Sequence, residues 1–193
     1  MNQQTISIAT VNVNGLNTGS ARKHKFQTLH NSKNDIIFLQ ETHSLPESAL
    51  IWAREWKEMT NSDSVWHSGT SWSRGVAILF NNGFKPKIEN ERKDKKGRIL
   101  TLSIDIDQYK LQLTNIYGPN KTNRRELFYA EVENHMKPDA DVVLAGDFNM
   151  VLDPIQDRTG KIYKEHTKGH KNLTKILQAH GLHDAWDSSL QKT

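Results

Sequence analysis

The sequence contains no cysteine among its 193 residues. Disulfide bonds, thiolate-bound zinc and a cysteine nucleophile are therefore excluded, and a reducing compartment is the simpler interpretation. The sequence also lacks any hydrophobic run near the ~20 residues of a membrane span, and its polar start does not match a signal peptide. We therefore expect an intracellular protein with no membrane partner.

Net charge is also small. Lys and Arg number 26 against 22 Asp and Glu, a balance of +4, and hydrophobic residues make up 35% of the chain. This mild basic excess fits a polyanionic partner, but many proteins with the same balance never bind nucleic acid. Internal repeats, low-complexity segments and domain boundaries are not visible, so residues 1–193 are predicted to form a single domain.

Short apolar runs separated by turn residues predict an α/β domain. Strands are expected at residues 6–13, 35–40, 75–80, 98–106, 109–117 and 141–145. Helices are expected at residues 20–30 and 171–180, and after the capping-box spacings Ser44–Glu47 and Asn123–Glu126. Some of the strands are joined by tight turns and others by helices, which indicates mixed sheets covered by helices.

Polar side chains stand where several of these predicted strands end. They are Asn12, Glu41, Asn115 with Tyr117, and Asp147 with Asn149. Loops at the carboxyl ends of strands are where α/β sheets bind ligands. If the strands lie side by side, these groups converge on one rim.

The chemistry of these side chains suits hydrolysis of a phosphodiester. Glu41 is a hard oxygen ligand and Asn12 offers an amide oxygen, which are ligand types that Mg²⁺ accepts. Asp147 could accept a hydrogen bond from an attacking water, and Asn149 and Tyr117 could donate to a phosphate oxygen. Each residue alone is more often an ordinary loop or turn residue, so the hypothesis depends on the whole set.

The ordered motifs VNVNGLN, FLQETH, NIYGPN and GDFN resemble those of the endonuclease/exonuclease/phosphatase superfamily, which includes deoxyribonuclease I and the apurinic/apyrimidinic endonucleases. The QETH and GDFNMVLD segments are similar to the endonuclease domains of LINE-type (non-LTR) retrotransposons. The resemblance spans essentially the whole chain. It implies a four-layered α/β sandwich, in which two packed mixed sheets are flanked by helices, as in deoxyribonuclease I.

The resemblance also implies roles for individual residues and an activity. Asn12 and Glu41 match the metal site, for Mg²⁺ or Mn²⁺, and Tyr117, Asp147 and Asn149 match positions that face the phosphate or orient water. The implied enzyme nicks double-stranded DNA in the nucleus and leaves a 3′ hydroxyl that primes reverse transcription. A reverse transcriptase in the same polyprotein would be its partner in cis.

Two alternatives stay open. One is another phosphoesterase of the superfamily, either a repair nuclease or an inositol or lipid phosphatase. The other is a DNA-binding remnant without catalytic activity.

Basic, aromatic and amide side chains near the predicted rim are candidates for contacts with DNA. They are Arg22, Trp72, Arg74, Asn115 and Asn120. Cationic groups of this kind bind phosphates with little sequence preference. Trp72 could stack on or wedge into DNA, or it could pack under its own loop. For any single one of the basic residues, ordinary solvated surface is the better interpretation.

The sequence departs from the family pattern on its C-terminal side. The family ends with a strand carrying an Asp and a Ser-Asp-His segment, and Ser-Asp-His does not occur here. By the resemblance, we expect the closing strands to lie outside residues 1–193 and the domain to be incomplete at its C-terminus. We also expect this polypeptide to be a weak or inactive catalyst, since loss of a general base typically costs ~10²–10⁴ in rate.

Overall fold

The structure is a computed structural model that describes residues 5–137, 140–151 and 169–185. Within these ranges the elements follow in the order β1 (Ile8–Asn12), α1 (Gly19–Asn31), β2 (Ile36–Gln40), α2 (Pro46–Thr60), β3 (Ser64–His67), β4 (Val76–Phe80), β5 (Lys87–Lys93), β6 (Ile99–Ile106), β7 (Tyr109–Tyr117), α3 (Arg125–His135), β8 (Asp141–Asp147) and α4 (His170–Ala179). A 3₁₀ turn, Thr122–Arg124, precedes α3. None of the helices in the described ranges is long and apolar enough to cross a membrane.

The first sheet has the strand order β1-β2-β4-β3. β1 and β2 are parallel and α1 connects them, whereas β4 runs antiparallel to both β2 and β3. Every residue of β2 and β4 is buried. This explains why the two strands are continuous apolar runs rather than alternating patterns, because both of their faces are covered.

The second sheet has the order β5-β6-β7-β8. β6 and β7 form a hairpin through Asp107 and Gln108, whose φ angles of 51° and 76° suit a tight turn between twisted strands. β8 is parallel to β7, and α3 connects the two strands. Every residue of the edge strand β5 is exposed, and its charged side chains disfavour pairing with another chain.

The two sheets pack face to face, and helices cover their outer faces. In β2, Ile36 and Phe38 lie in the cluster between the sheets, whereas Ile37 and Leu39 lie in the cluster beneath α1 and α2. On the opposite outer face, Ile116 packs with residues of α3 and α4. The four layers confirm the predicted α/β sandwich of two mixed sheets flanked by helices.

Two helices begin differently from the predicted capping boxes. The N-cap of α2 is Leu45, whose N–H donates to Ser48 Oγ at 2.8 Å. Ser44 instead hydrogen-bonds with Thr42 at 3.0 Å, so its hydroxyl is not available as a cap. α3 follows a 3₁₀ turn, and the residue that caps it makes no side-chain bond to the helix. The helices themselves are confirmed, and the predicted capping boxes are wrong.

Candidate active site

The two parallel strand pairs, one in each sheet, end at the same rim of the sandwich. In the first sheet Asn12 ends β1 beside Gln40, the last residue of β2, and Glu41 follows directly. In the second sheet Tyr117 and Asp147 end β7 and β8 and are paired neighbours. Since the sheets pack face to face and β1 contacts β8, the four strand ends meet.

Hydrogen bonds join these strand ends into one network. The Asn12 amide nitrogen donates to Glu41 Oε1 and to Asp147 Oδ2, both at 3.0 Å. The Tyr117 hydroxyl donates to the same Glu41 oxygen at 2.6 Å. The structure therefore brings together four of the residues that were selected from sequence, although two sheets contribute them.

The backbone holds Glu41 in an uncommon conformation. Its φ is 53°, a left-handed value that costs a non-glycine residue free energy. The Glu41 carbonyl accepts the N–H of Gly15 at 2.7 Å, and the following residue, Thr42, donates its N–H to Gly75 at 3.0 Å. These tertiary bonds fix the turn after β2. Positions of this kind are over-represented at functional sites.

The surroundings of Glu41 favour its charged form. Partial burial raises the pKa of the carboxyl, but hydrogen bonds from Tyr117 and Asn12 and the nearby His43 outweigh burial, so the pKa lies below its ordinary value. His43 Nε2 is 3.6 Å from Glu41 Oε2, beyond hydrogen-bond distance. Glu41 is thus an anion at neutral pH.

Tyr117 stays protonated beside that anion. Burial, together with the hydrogen bond to Glu41 and its charge, raises the pKa of the phenol to about 12. The Arg98 guanidinium lies 4.7 Å from the centre of the Tyr117 ring. Arg98 Nη1 also donates to the carbonyls of Tyr117 and Gly118, at 2.8 and 3.0 Å. The orientation of the phenol is therefore set by contacts on its ring, its backbone and its hydroxyl.

Asp147 and Asn149 form a compact turn at the end of β8. The Asn149 N–H donates to Asp147 Oδ1 at 3.0 Å, and φ of Asn149 is 50°. The Asn149 side-chain amide donates to the Gly118 carbonyl at 3.0 Å. A Cβ on Gly118 would lie 2.2 Å from the Phe148 carbonyl oxygen, so only glycine permits this approach of the two loops. The turn locks the Asp147 carboxylate to the loop after β7.

Sequence reasoning missed Arg125, which stabilises this turn by a hydrogen bond to its backbone. Its side chain is buried, and its guanidinium donates to the Pro119 and Asn149 carbonyls. Arg125 also lines a cleft of about 590 Å³ that opens beside Asn12 and Asp147. Its neighbour Arg124 is exposed, and no local pattern distinguishes the buried cation of the pair from the exposed one.

Of the residues expected to contact nucleic acid, three lie at the surface. Trp72 is 86% exposed, Asn120 is exposed and Arg74 is half-buried. Asn115 is fully buried between the sheets, and its amide hydrogen-bonds to Leu39, Ala77 and Gln40. This position corrects the expectation for Asn115, because a side chain without exposed surface cannot reach DNA.

Arg22 is also occupied within the protein. Its guanidinium donates to both carboxylate oxygens of Glu55, at 2.7 and 2.9 Å, and to the Leu16 carbonyl at 2.9 Å. It also lies 5.2 Å from the centre of a Trp52 ring. Arg22 therefore joins α1 to α2, which argues against the expected contact with nucleic acid.

The donor set of the site fits a hard divalent cation. Two carboxylates, Glu41 and Asp147, are joined by one amide, and Mg²⁺ is typically held by one or two carboxylates with water completing the shell. Glu41 Oε2 makes no hydrogen bond to the described part of the chain, and His43 Nε2 lies 3.6 Å from it. No cluster of three or more His, Cys, Asp or Glu occurs within the described ranges.

The fold and the polar strand ends define a class of protein, an α/β sandwich with a carboxylate site at its rim. The chain belongs to the endonuclease/exonuclease/phosphatase family, whose sequence pattern it matches over residues 9–191. Members of this family are nucleases and phosphoesterases.

The transposon TX1 uncharacterized 149 kDa protein of Xenopus laevis is 28% identical over 185 residues, which are 94% of this chain and 14% of that protein. The chain therefore spans a small part of its relative's length.

Two solved structures share the fold. An AP endonuclease from Archaeoglobus fulgidus is 23% identical with a TM-score of 0.62, and 90% of this chain covers 70% of that one. The AP endonuclease LMAP from Leishmania major is 17% identical with a TM-score of 0.69, and 91% of this chain covers 66% of it.

Proposed function

We propose that this domain is a metal-dependent endonuclease that nicks double-stranded DNA. The observation that carries the proposal is the hydrogen-bonded set of Asn12, Glu41, Tyr117 and Asp147 at one rim of the sandwich. This set combines a metal-competent carboxylate, a candidate base and a protonated phenol, and two of its members, Asn12 and Asp147, line an open cleft. Groups of these kinds take part in hydrolysis of a phosphodiester.

Glu41 is the proposed carboxylate ligand for Mg²⁺ or Mn²⁺, through Oε2, the oxygen that accepts no hydrogen bond from the described residues. Such an ion, when bound, supplies Lewis-acid stabilisation of the charge that develops on the phosphate and the leaving oxygen. Asn12 presents its amide nitrogen to the carboxylates, and its oxygen accepts the Asn14 N–H at 3.1 Å. Because an N–H group repels a cation, ligation by Asn12 requires its amide to turn over. Without that rotation, Asn12 positions Glu41 and Asp147.

Asp147 is the proposed acceptor of the proton from the attacking water. One of its oxygens is fixed by the Asn149 N–H and the other by Asn12. A carboxylate accepts about four hydrogen bonds, so capacity remains for water after these two. Tyr117 keeps its proton at neutral pH and is placed to donate to a phosphate oxygen. Asn149 holds the Asp147 turn and offers an amide to the same phosphate.

A role in retrotransposition is supported by the transposon relative. It is also supported by the similarity of the QETH and GDFNMVLD segments to the endonuclease domains of LINE-type retrotransposons. We propose that the nick leaves a 3′ hydroxyl that primes reverse transcription in the nucleus. A reverse transcriptase in the same polyprotein is the proposed partner in cis. The large relative, of which this chain spans 14%, has room for such a domain. Trp72, Arg74 and Asn120 are the proposed DNA contacts.

Nicking of supercoiled plasmid tests this function. The purified chain is incubated in excess over plasmid with Mg²⁺ or with a chelator, because we expect slow turnover. We expect open-circular product that depends on the metal and that a DNA polymerase can extend from its 3′ end. Glu41→Gln and Asp147→Asn are each expected to lower the rate by at least about 10². Arg54→Ala, an exposed change outside the site, is the control.

The alternatives give different results in the same assay. Cleavage confined to duplexes with an abasic site would indicate a repair nuclease. Release of phosphate from an inositol or lipid phosphate, with the plasmid left intact, would indicate a phosphatase. Binding of the plasmid without metal-dependent nicking would indicate a non-catalytic remnant.

A further inference from the structure

A second cleft, of about 490 Å³, lies next to the active site and shares no lining residue with the first. Four of its lining side chains are basic: Arg74, Lys96, Arg98 and Arg124. The described residues that line it include no Asp or Glu. We refer to it as the basic cleft. Lys96 Nζ lies 3.9 Å from Oε2 of Glu131, which is outside this lining, in a surface pair that water screens. Cations that gather in a concave surface create a field that attracts anions.

Arg98 connects the basic cleft to the proposed site of cleavage. Its guanidinium stacks on Tyr117, whose hydroxyl contacts Glu41. Burial lowers the pKa of Arg98, and the positive charges of Arg74 and Arg124 lower it further, while Tyr117 and Asp94 act in the opposite sense. The three arginines are therefore close enough to oppose one another's charge. A bound anion would relieve this repulsion.

Hydrogen bonds to backbone carbonyls hold the walls of the basic cleft together. The Gly75 N–H donates to the Gly97 carbonyl at 3.0 Å, and Arg74 Nη1 donates to the Lys96 carbonyl at 3.2 Å. A Cβ on Gly97 would lie 2.2 Å from the Ser68 carbonyl oxygen. The loop after β3 and the β5–β6 turn thus interlock closely. Cations on a fixed scaffold lose less conformational entropy when they bind a ligand than cations on free loops.

Apolar side chains at the edge of the basic cleft indicate what kind of anion fits. Leu127, which lines the cleft, is 79% exposed, and Trp72, two residues before Arg74, is 86% exposed. An inorganic phosphate would leave these surfaces in water. A nucleotide has a phosphate for the cations together with a sugar and a base for the apolar groups.

We propose that the basic cleft binds the phosphate of a nucleotide adjacent to the one being cleaved, so that the site prefers a continuous polynucleotide strand to an isolated or terminal phosphate ester. This inference rests on the proposed function, because Tyr117 relates the cleft to the cleavage site. Arg124 and Lys96 are the exposed cations that contact the neighbouring phosphate. Arg98 positions Tyr117 beneath it.

Binding in the presence of a chelator tests the cleft independently of catalysis. Fluorescence anisotropy measures the Kd of labelled hexathymidylate, and competition gives the inhibition constant of thymidine monophosphate. The ratio of these two constants reports how much the neighbouring phosphates contribute. We expect Arg124→Ala to lower the inhibition constant of thymidine monophosphate divided by the Kd of hexathymidylate about tenfold, since a charge-assisted contact to the longer strand is lost. We also expect the slope of log Kd against log salt to fall by about one, because one phosphate contact is lost.

Lys96→Ala is the second variant, and we expect it to change the ratio in the same direction. Arg54→Ala removes the same charge from an exposed position outside the cleft, and we expect it to leave the ratio unchanged. A ratio in Arg124→Ala and Lys96→Ala equal to that of Arg54→Ala would overturn the proposal, provided that thermal melting shows all three variants folded. Absence of plasmid nicking alongside an altered ratio would count against hydrolysis by this polypeptide but not against the cleft.

Discussion

The Tyr117 side chain connects Glu41 to the Arg98 guanidinium. Its hydroxyl donates to Glu41 at 2.6 Å and its ring stacks on Arg98 at 4.7 Å. Because the phenol pKa is raised to about 12, the group is a donor and not a base throughout the physiological range. The residue therefore holds Glu41, and in the proposed function it presents a proton towards a phosphate.

Tyr117→Phe isolates the hydroxyl while keeping the ring. We expect the single-turnover nicking rate to fall about 10²–10³-fold, as for loss of one preorganised donor, with little change in the Kd for DNA. The pKa of Glu41 should rise towards its ordinary value, because the leading hydrogen bond that lowers it is removed. A nicking rate equal to that of the wild type would rule out this role for the phenol.

At the residue scale, the sequence predicts the polar side chains at the strand ends but not the arginines that hold them in place. Asn12, Glu41 and Asp147 are recognisable because each polar residue follows an apolar run that does not need it for packing. Arg98 and Arg125 are not recognisable, because a buried guanidinium depends on carbonyls that only the tertiary fold supplies. The partner of Arg22 is likewise a residue on another helix.

At the scale of elements, the β5–β6 turn is organised by the buried carboxylate of Asp94. Asp94 accepts the backbone N–H groups of Lys96, Arg98 and Ile99 and hydrogen-bonds with His67 at 2.8 Å. Burial raises the pKa of this carboxyl, but the hydrogen bonds outweigh burial and lower it to about 2. The turn is therefore held in place by a charge.

The free energy of unfolding should depend on pH through Asp94. The shift from 3.8 to about 2 corresponds to about 2 kcal/mol. Because the folded pKa is the lower one, this stabilisation is present above pH 3.8 and is lost as the pH falls towards 2. In urea unfolding, Asp94→Asn should be destabilised by about 2 kcal/mol at neutral pH, and the difference should shrink in acid. A pH-independent difference would contradict this account.

The loop after β3 and the β5–β6 turn pack closely at Gly97. A comparison of two glycines distinguishes the effect of this packing on stability from the effect of backbone strain. Gly97 and Gly83 have similar φ angles, 70° and 78°, but only at Gly97 would a Cβ meet other atoms, whereas at Gly83 nothing lies within 4 Å. We expect Gly83→Ala to cost about 1–2 kcal/mol through strain alone. Gly97→Ala should cost more and should also weaken hexathymidylate binding. Equal effects on unfolding and binding would show that the interlock is unimportant.

Strands and helices are mostly predictable here, but the starts of helices are not. β2 and β4 stand out as apolar runs, and alternation identifies β6, because burial on one or both faces fixes these patterns. The hydroxyl of Ser44 has the spacing of a cap. It bonds to Thr42 instead, because the strained turn after Glu41 brings those two side chains together.

At the scale of the whole molecule, Asn115 joins the two sheets through the core. This β7 residue donates to the carbonyls of Leu39 and Ala77, in β2 and β4, and accepts from Gln40. An amide fully enclosed by apolar neighbours is favourable only if its hydrogen bonds are made. The network therefore specifies how one sheet is placed on the other, and with it the approach of Tyr117 to Glu41.

Asn115→Ala should disturb both stability and the site. We expect a loss of about 2–4 kcal/mol in the free energy of unfolding, because buried polar partners are left unsatisfied. We also expect slower nicking, although Asn115 does not reach the substrate. Urea unfolding and the plasmid assay measure the two effects. An unchanged free energy of unfolding would show that packing alone sets the relation of the sheets.

The layered fold follows from the sequence pattern together with the family resemblance, whereas the basic cleft does not. Three segments distant in sequence form it: the loop after β3, the β5–β6 turn and the start of α3. Their cations look like ordinary surface residues until the sheets are stacked. The placement of one sheet on the other is a property of the core, and no local pattern encodes it.

The central claim is that Glu41 binds a divalent metal at the point where the four strand ends meet. Crystals soaked with Mn²⁺ and measured for anomalous scattering test it most directly. The account predicts an anomalous peak bonded to a carboxylate oxygen of Glu41, adjacent to Asn12 and Asp147, that is absent from Glu41→Gln crystals. No peak at Glu41, or a peak that persists in Glu41→Gln, would contradict it.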